Sequence, residues 1–130
     1  MGEKPQTILV VGPGPALRHR VEELSRHYGY RLHYAEDPYA AGFELENTQV
    51  DALVCEAAPA YTAECRLVRE ISQRSVHLPV ILFVEPECEE DLYDEIGCAS
   101  FAVVRPATPL EELHRILQRA MIQRRRPQAA

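Results

Sequence analysis

Five short apolar runs, each followed by a stretch with helical spacing, set the pattern of this chain. The first run, Thr7 to Val11, is apolar throughout its last four residues. A strand buried on both faces needs that continuity, whereas a half-exposed strand would alternate. Gly12-Pro13-Gly14-Pro15 stops the run. Pro15 suits a first helical turn, where a missing N–H costs nothing. Leu17, Val21, Leu24 and Tyr28 then recur at helical spacing and predict an inward face, with Gly29 ending the helix. Arg31 to Ala35 predicts a second strand, and Asp37-Pro38 an N-cap and first position for a helix over 39–47.

Ala52 to Cys55 predicts the third strand, and 60–74 a helix with Cys65, Val68 and Ile71 inward. Val80 to Val84 predicts the fourth strand, 88–96 a short acidic helix closed by Gly97, and Phe101 to Val104 the fifth strand. Thr108-Pro-Leu-Glu111 reads as a capping box opening the last helix, whose inward face is Leu110, Leu113, Leu117 and Ala120. Strands alternating with helices predict βαβ units on a parallel sheet. Right-handed crossovers then favour a doubly wound α/β fold, and the flavodoxin-like order 2-1-3-4-5 fits a chain of 130 residues. The expected architecture is a (βα)5 three-layer sandwich over 1–123, with 124–130 a basic tail or the start of a linker.

In such a sheet, ligands bind outside the carboxyl ends of the strands. The residues there are Gly12, Pro13, Glu36, Asp37, Glu56, Val84, Glu85 and Arg105. The order of runs and the residues ending them resemble the receiver domain of two-component response regulators over nearly the whole chain. The resemblance implies two acidic residues after strand one, where this chain has Gly12 and Pro13. It implies a phospho-accepting Asp at the end of strand three, where Glu56 stands, and a Thr or Ser after strand four, where Val84 stands. It implies a Lys-Pro after strand five, usually joined by a cis peptide, where Arg105-Pro106 stands. The aromatic switch position falls on Ala102, and strand alternation puts the neighbouring Phe101 on the other face.

Each departure has a chemical consequence. Mg²⁺ takes octahedral oxygen ligands, usually with one or two carboxylates, and Gly12 and Pro13 supply none. Phosphoryl transfer relies on a metal and fixed positive charge, for which Arg105 alone is a weak substitute. Val84 has no hydroxyl for a phosphate, and Glu56 carries its carboxylate ~1.5 Å further out than Asp would. One carboxylate charge is also a partial stand-in for a phosphate bearing about −1.5 to −2. Glu56 and Arg105 are expected to form a partly exposed ion pair. The expected function is therefore a pseudo-receiver: a signalling module, not phosphorylated and not an enzyme. It would use no cofactor or metal, and would act on a protein partner or a fused output domain, as in transcription regulation. The alternative in the same family is a phosphorelay receiver that still accepts phosphate by an altered route, with Glu56 as the candidate acceptor.

Receivers often pair through helix four, strand five and helix five. The corresponding residues are Asp91, Asp94 and Glu95 against Arg115 and Arg119, opposite charges suited to a two-fold homodimer. A cation-binding acidic rim of Glu36, Asp37, Glu56 and Glu85 is a weaker alternative, since acids after strands are usually solvated. A nucleotide-binding loop at Gly12-Pro-Gly14, with Glu36 and Asp37 as ribose-binding acids, is weaker still. Leu17 holds the third glycine position, and Pro13 and Pro15 remove N–H groups that would face a pyrophosphate.

Charge and composition narrow the partners. Fourteen Lys and Arg against twenty Asp and Glu give −6, which argues against direct nucleic-acid binding. Cysteines 55, 65, 88 and 98 form no C-x-x-C and complete no zinc spacing, so reduced thiols in a cytoplasmic protein are expected. No apolar run is long enough for a membrane span, and no signal peptide is read at Met1. Histidines 19, 27, 33, 77 and 114 are scattered, with none next to a candidate nucleophile, and His19 and His27 are expected to be exposed.

Overall fold

A parallel five-stranded sheet carries the molecule, in the order β2-β1-β3-β4-β5. The computed structural model describes residues 5–12, 14–57, 70, 78–84 and 102–125. The strands are β1 (Thr7–Val11), β2 (Arg31–Ala35), β3 (Ala52–Ala57), β4 (Val80–Val84) and β5 (Ala102–Val104). The described helices are α1 (Pro15–Tyr28), α2 (Pro38–Asn47) and α3 (Leu110–Arg125). The helix expected over 60–74, apart from Glu70, and the one over 88–96 lie outside the described residues, as do Glu85 and Phe101.

Period-two alternation sorts the strand residues onto two faces. Ile8, Val10, Ala52, Val54, Ile81, Phe83 and Val104 pack against Leu17, Val21 and Leu24 of α1 and Leu113, Leu117, Ala120 and Met121 of α3. Leu9, Val11, Leu53, Cys55, Leu82 and Val84 form the opposite cluster, which includes Ala41 of α2. β1 and β4 are buried at every position, as their unbroken apolar runs require.

Local chemistry fixes the helix ends. Pro15 sits in the first turn of α1, and Gly29 ends the helix at φ 79°, a left-handed conformation that glycine adopts without a Cβ penalty. Asp37 caps α2 through a hydrogen bond from the Ala40 N–H to Oδ1 (2.8 Å). Two expectations are adjusted. β3 runs through Ala57 rather than stopping at Cys55, because backbone pairing to β4 continues as Glu56↔Phe83 and Ala57↔Val84. Tyr28 is 37% exposed, since Gly29 ends the helix beside it and its ring stacks instead on His114 (centroids 3.7 Å apart, planes 4° apart). Among the described residues, no helix is long and apolar enough to cross a membrane.

Candidate functional site

The carboxyl ends of β1, β3, β4 and β5 bring four of the predicted positions to one edge. Gly12 follows β1 at φ 57°, and its N–H donates to Ala35 O (2.8 Å). A left-handed residue there turns the chain sharply from strand to helix, and glycine does so without strain. Pro13 lies outside the described residues. Gly14 follows as the N-cap of α1, in extended backbone, with no side-chain cap and no acidic residue in the first helical turn.

Glu56 supplies what that helix end lacks. Alternation along β3 places its side chain on the same face as Ala52 and Val54, the face covered by α1. Its carboxylate lies over Gly14: a Cβ built there would stand 3.1 Å from Oε1 and 3.6 Å from Oε2. The first turn of a helix carries partial positive charge from its unpaired N–H groups, so a carboxylate beside it is favoured. Gly14 therefore leaves room for the Glu56 head group. Sequence alone marked Glu56, and Gly14 only within the weak nucleotide-loop alternative.

Val84 and Arg105 are arranged differently. Val84 ends β4, is 1% exposed, and belongs to the cluster on the α2 side. Its pairing with Ala57 places it on the opposite face from Glu56, which pairs with Phe83. Arg105 is exposed, just past β5. The expected Glu56–Arg105 pair is not among the ion pairs of the described residues. The Arg105 backbone is built into a turn: its N–H donates to Thr108 Oγ1 (3.2 Å) and its carbonyl accepts from the Thr108 N–H (3.0 Å). The Arg105–Pro106 peptide is trans. Arg20 of α1, which the sequence did not single out, donates from Nη2 to Thr108 O and pairs through Nη1 with Glu23 (3.6 Å). This ties the turn after β5 to α1.

The remaining candidates scatter. Asp37 is used as the α2 cap, and Glu36 is exposed. Among the described residues, no three His, Cys, Asp or Glu come close enough to hold a metal ion. His19 and His27 are exposed, and His33 lies 3.9 Å from Glu44. Arg115 pairs with Glu111 at 3.9 Å and Arg119 is exposed on α3, while Asp91, Asp94 and Glu95 lie outside the described residues.

Solved structures match this arrangement over almost its whole length. A signal receiver domain of a histidine kinase from Syntrophus aciditrophicus superimposes with a TM-score of 0.78 at 16% identity, covering 96% of each chain. A response regulator receiver domain protein from Clostridium thermocellum gives 0.75 at 16% identity, covering 91% of this chain and 95% of that one. The chain has the receiver fold. The receiver domain of a sensor histidine kinase from Pseudomonas aeruginosa also matches, with a TM-score of 0.75 at 24% identity over 90% of this chain and 98% of that one. That protein holds a magnesium ion in its active-site cleft. No protein-family model and no curated protein matches the sequence.

Proposed function

We propose that this receiver-fold chain is a signalling module of the two-component type that does not take up phosphate. In this reading it is a cytoplasmic domain, works by contact with a protein partner or a fused output domain, and turns over no substrate. The observation that carries the reading is the Glu56 carboxylate over Gly14. A receiver that uses magnesium needs several oxygen ligands beside β1 and β3. Gly12 offers no side chain, Pro13 has no carboxylate, and Glu56 places its single carboxylate over Gly14. This donor set does not fit the ion. The last helix, with Arg115 and Arg119, belongs in this reading to the surface that meets a protein partner or a fused output domain.

Intact mass spectrometry after incubation with Mg²⁺ and acetyl phosphate tests this. The expected result is an unchanged mass. A stable adduct of about +80 Da, one phosphoryl group, would instead establish a working phosphorelay receiver.

A further inference from the structure

α2 displays a surface that the fold itself does not use. Tyr39 is 88% exposed and Phe43 66% exposed, one helical turn apart on the same face. Gly42 lies between them in sequence, and a Cβ there would meet nothing within 4 Å. A glycine inside a helix weakens it relative to alanine, and no packing here demands one. Its effect is a smooth spot beside two rings, open to close approach by another chain.

Among the described residues, the charges next to the rings along α2 have one sign. Glu36, Asp37 and Glu46 are exposed, and Glu44 is half-buried. No Lys or Arg occurs between Arg31 and Arg66, a stretch holding seven carboxylates. The same chain carries the opposite charge in Arg124-Arg125-Arg126. Guanidinium groups suit such a patch twice over, pairing with carboxylates and stacking on aromatic faces.

We infer that the Tyr39/Phe43 patch of one copy receives the Arg124–Arg126 run of a second copy. The run cannot serve its own patch. α3 packs with α1 on one face of the sheet and α2 on the other. α3 ends at Arg125, and the outer faces are separated by two helix layers of roughly 10 Å each. Reciprocal exchange between two copies closes a two-fold dimer with two identical contacts. A phosphoryl adduct on the chain would leave this contact standing, and a strictly monomeric chain would leave the phosphate reading standing.

Sedimentation velocity of the full chain tests it. The expected result is a dimer whose Kd rises roughly tenfold or more from low to high salt, as screening of exposed charges requires. Tyr39→Ser with Phe43→Ser should abolish association, as should Arg124→Glu with Arg125→Glu, each with an unchanged circular dichroism spectrum. Mixing these two variants leaves one intact patch facing one intact run, and should restore a weaker dimer. Three results would overturn the assignment. One is a monomer at high micromolar concentration in low salt. Another is a dimer insensitive to both pairs of changes, including one lost only on Arg115→Glu with Arg119→Glu. The third is a monomeric chain whose patch binds an unrelated arginine-rich peptide, which would give the surface to a foreign partner.

Discussion

At Glu56, late in β3, the carboxylate has an electrostatic task. It stands against a helix start that has no acid of its own and no side-chain cap. A charge beside a helix N-terminus is worth about 0.3–1 kcal/mol, so Glu56→Ala should destabilise the fold by that much in urea titration. The sequence alone suggests almost no effect, because it shows the strand end but not the helix end beside it. Gly14→Ala should cost about 1 kcal/mol, since its new Cβ would crowd Oε1 at 3.1 Å and alanine is a poorer N-cap than glycine. In the Glu56→Ala background the same change should cost clearly less. Contacting residues couple in this way and distant ones add. Additive costs, measured across the four proteins of the cycle, would mean that the two residues do not act on each other.

Between elements, a polar junction lies at the amino edge of the sheet, where α1, β2 and α3 meet. The Tyr30 hydroxyl lies 2.7 Å from His114 Nδ1 and accepts from Gln118 Nε2 (2.9 Å), which also donates to Gln6 Oε1 (2.9 Å). The His114 tautomer sets which of the two groups donates in the Tyr30–His114 contact. Burial lowers the His114 pKa below its ordinary value. A folded pKa below the unfolded one means that the unfolded chain binds the proton more readily. Stability should therefore fall as pH drops through the ordinary histidine range near 6.5 toward the lowered folded pKa, and level off below it. His114→Gln should flatten that slope in thermal melts taken across this range, and an unchanged slope would assign the pH response to other groups. Little of this junction is legible in the chain. Strand order, the α1 and α3 core faces and the Asp37 cap follow from apolar runs, helical spacing and local hydrogen-bonding chemistry, all of which act over a few residues. Tyr28 reads as buried by its spacing, yet it stacks on His114, 86 residues away in the chain. The meeting of Glu56 with Gly14 is equally hidden, since it depends on the path taken from β1 into α1.

For the whole molecule, the core and the carboxyl edge of the sheet are carried by different residues. The sheet is held by buried apolar positions such as Leu9, Leu53 and Leu82. The edge residues can therefore be changed without dismantling the core. Gly12→Asp, Pro13→Asp and Glu56→Asp together should create a magnesium site, because they return carboxylates beside β1 and β3. The gain has a local cost. Asp at position 12 must adopt φ near 57°, which Asp tolerates better than most residues but still at about 1 kcal/mol. Shortening Glu56 also draws its carboxylate back from Gly14, removing charge from the start of α1. The triple variant should thus melt below the parent without metal and regain stability when Mg²⁺ is added, since a ligand that binds only the folded state raises its midpoint. Glu56→Asp alone should show no such rise, having shortened the one carboxylate without adding another. Melting curves of the parent and both variants with and without Mg²⁺ decide the matter: a rise in the parent as large as in the triple variant would mean that the native edge already binds the ion.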